Sequence, residues 1–155
     1  MGINDQIFGI TPPASNAAGT QYFWANTTSV QAVANGTWVR MNHAATIYDT
    51  ESDFNTSSYR FTFDAASAGL WLFHHTVSIN SVGNLTASRL YVNGGGFKHS
   101  YGYGFGSNQT NTQDTVIRLM VADDYVEHYA YQTSGGSKNT IAGRDGVSFT
   151  GIRLA

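Results

Sequence analysis

The sequence predicts an all-β fold, a sandwich of two antiparallel sheets of the jelly-roll kind, and three observations predict it. Charged residues make up only 12% of the 155 positions, against about 25% in an average soluble domain. Ser, Thr, Asn and Gly supply the polarity instead, which suits sheets joined by turns better than helices with Glu- and Lys-rich surfaces. Short runs of β-branched and aromatic residues recur between turn signals, roughly eight to ten of them. No segment carries a convincing helical period, and there is no internal repeat.

The length fits one domain and can bury a core without disulfides or metal. Residues 1–20 stand apart as an arm and linker. Ile3, Ile7, Phe8 and Ile10 are apolar, Pro12-Pro13 stiffens the backbone, and Ala14 to Gly19 are small or polar. The domain proper is expected over residues 21–155. Its first run, Gln21 to Ala25, is aromatic-rich. Asn35-Gly36 is a turn dipeptide, followed by a strand over Thr37 to Met41. Ala45 to Tyr48 leads into a polar stretch, Asp49 to Ser58, and Tyr59 to Phe63 alternates again.

Gly69 opens the clearest strand, Leu70 to Ile79. Alternation sends Trp71, Phe73, Val77 and Ile79 one way and Leu70, Leu72, His74 and Thr76 the other. Both faces are apolar in its first half, so both are expected to be covered, one by a second sheet and the other by a partner subunit. Ser88 to Val92 is a strand closed by Asn93-Gly94. Gly94 to Gly106 reads as a glycine- and aromatic-rich loop. Thr115 to Val121 and Tyr125 to Gln132 are expected to form a hairpin around Asp123-Asp124. A Ser134 to Lys138 loop and a strand over Val147 to Leu154 complete the chain.

Several function classes are disfavoured. Net charge is −2 with no long basic run, so nucleic acid is not an expected partner. No apolar run is long enough to span a bilayer, and residues 1–13 show no secretory signal. There is no cysteine, so no disulfide framework exists. The Asn-x-Ser/Thr triplets at Asn26, Asn35, Asn55, Asn84 and Asn108 are read as chance in a chain rich in Asn and Thr.

Candidate sites are few. His43, His74, His75, His99 and His128 lack the spacing of a zinc site, and the adjacent His74 and His75 must point to opposite faces. They are read as hydrogen-bonded strand histidines, with a ring of histidines on a three-fold axis as the alternative. No G-x-S-x-G elbow is present. The carboxylate pairs Glu51, Asp53 and Asp123, Asp124 lie in expected turns. No enzyme, cofactor or metal is therefore expected. In GGGFKHSYGYGFG, glycines at 102, 104 and 106 put Tyr101, Tyr103 and Phe105 on one face. Such rings suit a surface-binding loop for glycan or protein. The preferred reading is packing in the core or between subunits, with Gly where backbones approach closely.

Five segments resemble, in order, the C1q-like jelly-roll family of the C1q and tumour-necrosis-factor group. YDTESDFNTSSYRFT, from Tyr48 to Thr62, is similar to that family's approach to its central strand. Gly69-Leu70-Trp71-Leu72-Phe73 with Thr76-Val77-Ser78-Ile79 resembles the core strand itself. Arg89 to Gly94, Val116 to Val126 and Phe149 to Leu154 resemble the later strands. The chain departs from the pattern at Tyr59, where Gly is common, and at Ala122-Asp123-Asp124, which replaces a tight Gly-Asp turn. Only Asn93 stands where some members bind calcium. QYFWANTTSVQAVANGTWVRM and ADDYVEHYAYQ are similar to the bacterial and phage branch.

The resemblance implies a compact homotrimer that packs one sheet against its axis and performs no chemistry. The residues expected in the core or trimer interface are Leu70, Trp71, Leu72, Phe73, Val77, Ile79, Val116 and Met120. Ile3, Ile7, Phe8 and Ile10 are expected to form a partner-binding arm. The leading expectation is a phage virion protein, either a capsid decoration (cement) protein or a fibre head, with self and a capsid protein as partners. The alternative is an extracellular recognition module for cell-surface glycans or receptors. A bacterial surface or spore-coat trimer is a third.

Overall fold

The computed structural model describes residues 21–80, 84–104, 109–143 and 145–155. The expected arm, including Ile3, Ile7, Phe8 and Ile10, lies outside the described residues, as does Phe105. The strands are β1 (Tyr22–Asn26), β2 (Ala32–Val33), β3 (Val39–Arg40), β4 (Ala45–Asp49), β5 (Phe54–Asn55), β6 (Arg60–Thr62) and β7 (Gly69–Ile79). They continue as β8 (Leu85–Val92), β9 (Gly95–Tyr103), β10 (Thr110–Met120), β11 (Tyr125–Gln132), β12 (Lys138–Asn139) and β13 (Val147–Arg153). One antiparallel sheet runs β10-β7-β13-β1-β4. The other runs β5-β6-β11-β8-β9, with β3 also on β11, and β12 and β2 form a short ribbon.

Alternation builds the space between the sheets. The first sheet sends in Phe23, Ala25, Trp71, Phe73, Met120 and Phe149, and the second sends Phe61, Leu90, Val92 and Val126, all buried in one cluster. A smaller cluster joins Val33, Met41, Val77, Ile79, Ala130 and Val147. Rings dominate the centre: Phe23 stacks on Phe61 at 4.6 Å between centroids and meets Phe149 edge-on at 4.9 Å. Such ring pairs add to the free energy of apolar burial.

Gly151 lets this packing close. It lies opposite Phe23 on β1 and Phe73 on β7, and a Cβ there would overlap the Phe23 ring. Gly151→Ala should destabilise the fold by about 1–3 kcal/mol through overpacking, read as a lower urea midpoint at unchanged m-value.

Turn chemistry explains one reversal and corrects two expectations. Asn93 and Gly94 both have positive φ, 52° and 75°, as the tight turn between two twisted strands requires. They join β8 to β9, with Val92 opposite Gly95. The described part of Gly94 to Gly106 is therefore not a loop: Gly95 to Tyr103 is a strand on the sheet edge. Asp123-Asp124 does not close a hairpin either. β10 pairs with β7 in one sheet, while β11 pairs with β6, β8 and β3 in the other. The connection carries the chain across the sandwich. Asp124 braces it by accepting hydrogen bonds from Asn93 Nδ2 at 2.6 Å and from the Val121 N–H at 2.9 Å.

Candidate functional site: the open face of the five-stranded sheet

The residues that β7 turns away from the core start the site. Leu70, Leu72 and His74 alternate with the buried Trp71, Phe73 and His75. Register extends each across the sheet. Ile117 on β10 lies opposite Leu72, Leu72 opposite Ile152 on β13, and Ile152 opposite Tyr22 on β1. The next row runs Thr115, His74, Thr150, Trp24 and Tyr48 across five strands. Leu119 faces Leu70 at one end.

No Asp, Glu, Lys or Arg stands in these rows, and His74 Nδ1 lies 3.0 Å from Thr115 Oγ1. Ile117 is 55% exposed, Leu119 64% and Tyr48 55%. Large aliphatic and aromatic side chains that are contiguous and open to water mark an interaction surface. Tyr48 touches both Tyr22 and Trp24, with centroids 6.1 and 6.3 Å apart, which extends the apolar strip to the β4 edge.

The outer face of the second sheet differs because its groups cap one another. The Arg89 guanidinium lies 4.5 Å over the Trp38 ring, Tyr91 lies 4.0 Å from Tyr129, and Arg40 pairs with Glu127 at 2.8 Å. Partial burial, with the nearby Glu127 carboxylate, pushes the Tyr129 phenol up. These groups engage one another within the chain, and Tyr101 and Tyr103 on β9 are the exposed rings of this face, whereas the first sheet exposes the aliphatic Ile117 and Leu119 beside Tyr22 and Tyr48.

The expected site residues divide between two places. Trp71, Phe73, Val77, Ile79 and Met120 lie in the core, and Val116 packs against it. Leu70 and Leu72 lie on the open face. Trp71 and Phe73 therefore do not pack between chains: alternation points them at their own second sheet, and the rings left outside are Tyr22, Trp24 and Tyr48. Sequence reasoning missed these three, and Ile117 and Leu119, although period-two alternation from Phe23 and Met120 could have found all of them but Tyr48.

Tyr101 and Tyr103 are 55% and 68% exposed on β9, so they are not core residues. Their strand is held by Gly102, where an added Cβ would come within 2.8 Å of Thr112 Cγ2 on β10. The carboxylates serve turns. Asp64 accepts hydrogen bonds from the Ser67 and Ala66 N–H groups at 2.7 and 2.8 Å, which hold its carboxyl below the usual range. Asp53, Asp64 and Asp123 line an open concavity of about 600 Å³. Partial burial raises Asp53, against a Ser67 hydrogen bond that lowers it, with Asp64, Asp49 and Glu51 adding to the rise. Among the described residues no three His, Asp or Glu side chains converge to hold a metal ion.

No family model matches the sequence, and no curated protein matches it. Solved structures do match in shape. The globular domain of zebrafish complement 1qA protein aligns with TM-score 0.60 and 13% identity, covering 87% of this chain and 98% of that one. The fold is the C1q and tumour-necrosis-factor jelly roll. The Eiger tumour necrosis factor of S. frugiperda gives TM-score 0.66 at 9% identity, covering 87% of this chain and 91% of its own. Murine APRIL gives 0.69 at 6% identity, covering 86% and 98%. At 6–13% identity, what these structures share with the chain is the fold.

Proposed function

We propose that this chain is a non-enzymatic assembly module whose three copies pack through the open face of the five-stranded sheet, and that the trimer serves as a structural protein of a phage virion. The observation that carries the assembly is the uncharged row Ile117, Leu72, Ile152 and Tyr22, contiguous across four strands, with Ile117 and Tyr22 exposed and Leu72 and Ile152 half-buried between them. Fully burying such side chains stabilises by about 1.5–3 kcal/mol each, and a C1q-like jelly roll implies a trimer as the means.

The virion role, as a capsid decoration protein or fibre head, rests on the sequence: the likeness to the phage branch and the apolar arm. Four apolar arm residues contribute roughly 1.5–3 kcal/mol each on burial, against about 1–2 kcal/mol per residue to order the backbone. One arm is nearly balanced. Three arms linked through one trimer gain by avidity. Deleting residues 1–13 should leave a folded trimer that no longer co-sediments with capsids. Unfolding of the truncated protein would place the arm in the core, and undiminished co-sedimentation would place attachment elsewhere.

The exposure of Tyr101 and Tyr103 favours a second reading, recognition of a cell-surface glycan or receptor through β9. That reading expects Tyr101→Ala with Tyr103→Ala to abolish binding to host cells while leaving capsid attachment unchanged.

A further inference from the structure

The interior of the sandwich contains a polar arrangement that assembly does not use. His75 projects from β7 into the space between the sheets, and Ser88 on β8 and His128 on β11 meet it from the opposite sheet. His75 Nδ1 lies 2.5 Å from Ser88 Oγ, and Ser88 Oγ lies 2.8 Å from His128 Nε2. His128 Nδ1 lies 3.0 Å from His43 Nε2, and these two rings stack at 5.2 Å with 17° between planes. All four side chains are fully buried. They form one hydrogen-bonded chain that ties the two sheets together through the core.

The proton count of this chain is restrictive. A neutral imidazole has one donor and one acceptor, and a hydroxyl has one donor. With the Ser88 proton kept inside the chain, neutral groups satisfy all three contacts in two ways. In one, His43 donates to His128, His128 to Ser88 and Ser88 to His75. In the other every direction reverses. The end atoms, His43 Nδ1 and His75 Nε2, are buried and take no hydrogen bond from the protein. An added proton therefore creates a cation with no carboxylate in the chain and leaves N–H groups at both ends without an acceptor, an expensive state in the interior.

The surroundings offer little relief. β5 and β13 present the rings of Phe54 and Phe149 to His43, with centroids 6.3 and 5.9 Å away. On β8 and β11, the neighbouring Arg89 and Glu127 are engaged on the outer face with Trp38 and Arg40. Asp114 on β10 is the carboxylate whose charge favours protonation of His75, and His74 on β7 opposes it. Burial outweighs both. It holds His75 down to about 4 and His43 to about 3, the latter helped by His75. His128 lies well below the ordinary value, from burial and then from its histidine neighbours.

We propose that this His43–His128–Ser88–His75 chain is an acid-sensitive latch, which holds the sheets together while its rings are neutral and opens the sandwich when they take up protons. An unfolded histidine titrates near 6.5, and the folded values are lower. The unfolded chain therefore binds more protons in the interval between, so stability is complete above about pH 6.5 and is lost as pH falls toward the folded values. Each histidine changes the unfolding constant by up to tenfold per pH unit.

The test is urea unfolding of the full chain at fixed concentration, followed by circular dichroism at pH 6 and pH 5. Three coupled histidines predict that the unfolding constant rises several-hundred-fold between these values; a rise below about a hundredfold overturns the latch. His43→Phe removes one end of the chain with an apolar ring of similar size. It should cut the pH dependence by about eightfold and leave the protein relatively more resistant to acid. Should that variant not fold, ring-nitrogen NMR of the unaltered protein decides the matter: His43, His75 and His128 stay neutral in the folded state at pH 5, and an imidazolium at any of them contradicts the proposal.

Discussion

Replacing Trp71 with alanine is expected to destabilise the domain by about 3–5 kcal/mol, a large share of the roughly 5–15 kcal/mol that holds a domain of this kind together. Trp71 has no exposed surface. Its ring lies 5.2 Å from Phe61, 5.3 Å from Phe63 and 6.0 Å from Phe73, so truncation opens a cavity bounded by rings that cannot collapse far. The indole N–H also donates to the Ser67 carbonyl at 2.8 Å, and its loss leaves that carbonyl without this partner in the interior. Urea unfolding followed by far-ultraviolet circular dichroism measures the effect. A loss under 1 kcal/mol would mean that the aromatic cluster is not the centre of the fold.

The second large effect separates assembly from folding. Ile117→Asp places a carboxylate at the β10 end of the open row, opposite Leu72 and beside the exposed Leu119. Because Ile117 is more than half exposed in the single chain, the new charge stays hydrated there and should change monomer stability by less than about 0.5 kcal/mol. In the proposed trimer the same position would be buried three times around one axis, where unpaired charges are costly. The expected result is a folded monomer at concentrations where the proposed trimer of the unaltered chain forms, seen by sedimentation with an unchanged circular dichroism spectrum. A trimer that survives the substitution would move the interface off this face.

Much of this architecture was legible because alternation and turn chemistry are local. Trp71, Phe73, Val77 and Ile79 announce an inward face by spacing alone, and Asn93-Gly94 specifies a tight reversal through the positive φ it accommodates. Local signals stop where a choice between sheets begins. Asp123-Asp124 marks a change of direction, yet nothing in those residues says that β10 and β11 belong to different sheets. Gly102 looked like loop chemistry, and its real role is to let β9 lie against Thr112 on β10. The histidine chain was the least legible feature. His43, His75, Ser88 and His128 come from separate parts of the sequence and meet only when the sheets pack: Ser88 and His128 lie on neighbouring strands, His75 comes from the opposite sheet, and His43 follows β3 outside any strand. The one local hint was His75, at an inward position between Phe73 and Val77.

The assembly claim is tested most directly by the mass of the purified protein in solution at micromolar concentration, from light scattering. The account predicts three chains of 16.8 kDa each in one particle. A stable particle of one chain, with Ile117, Leu119 and Tyr48 left in water, would contradict it.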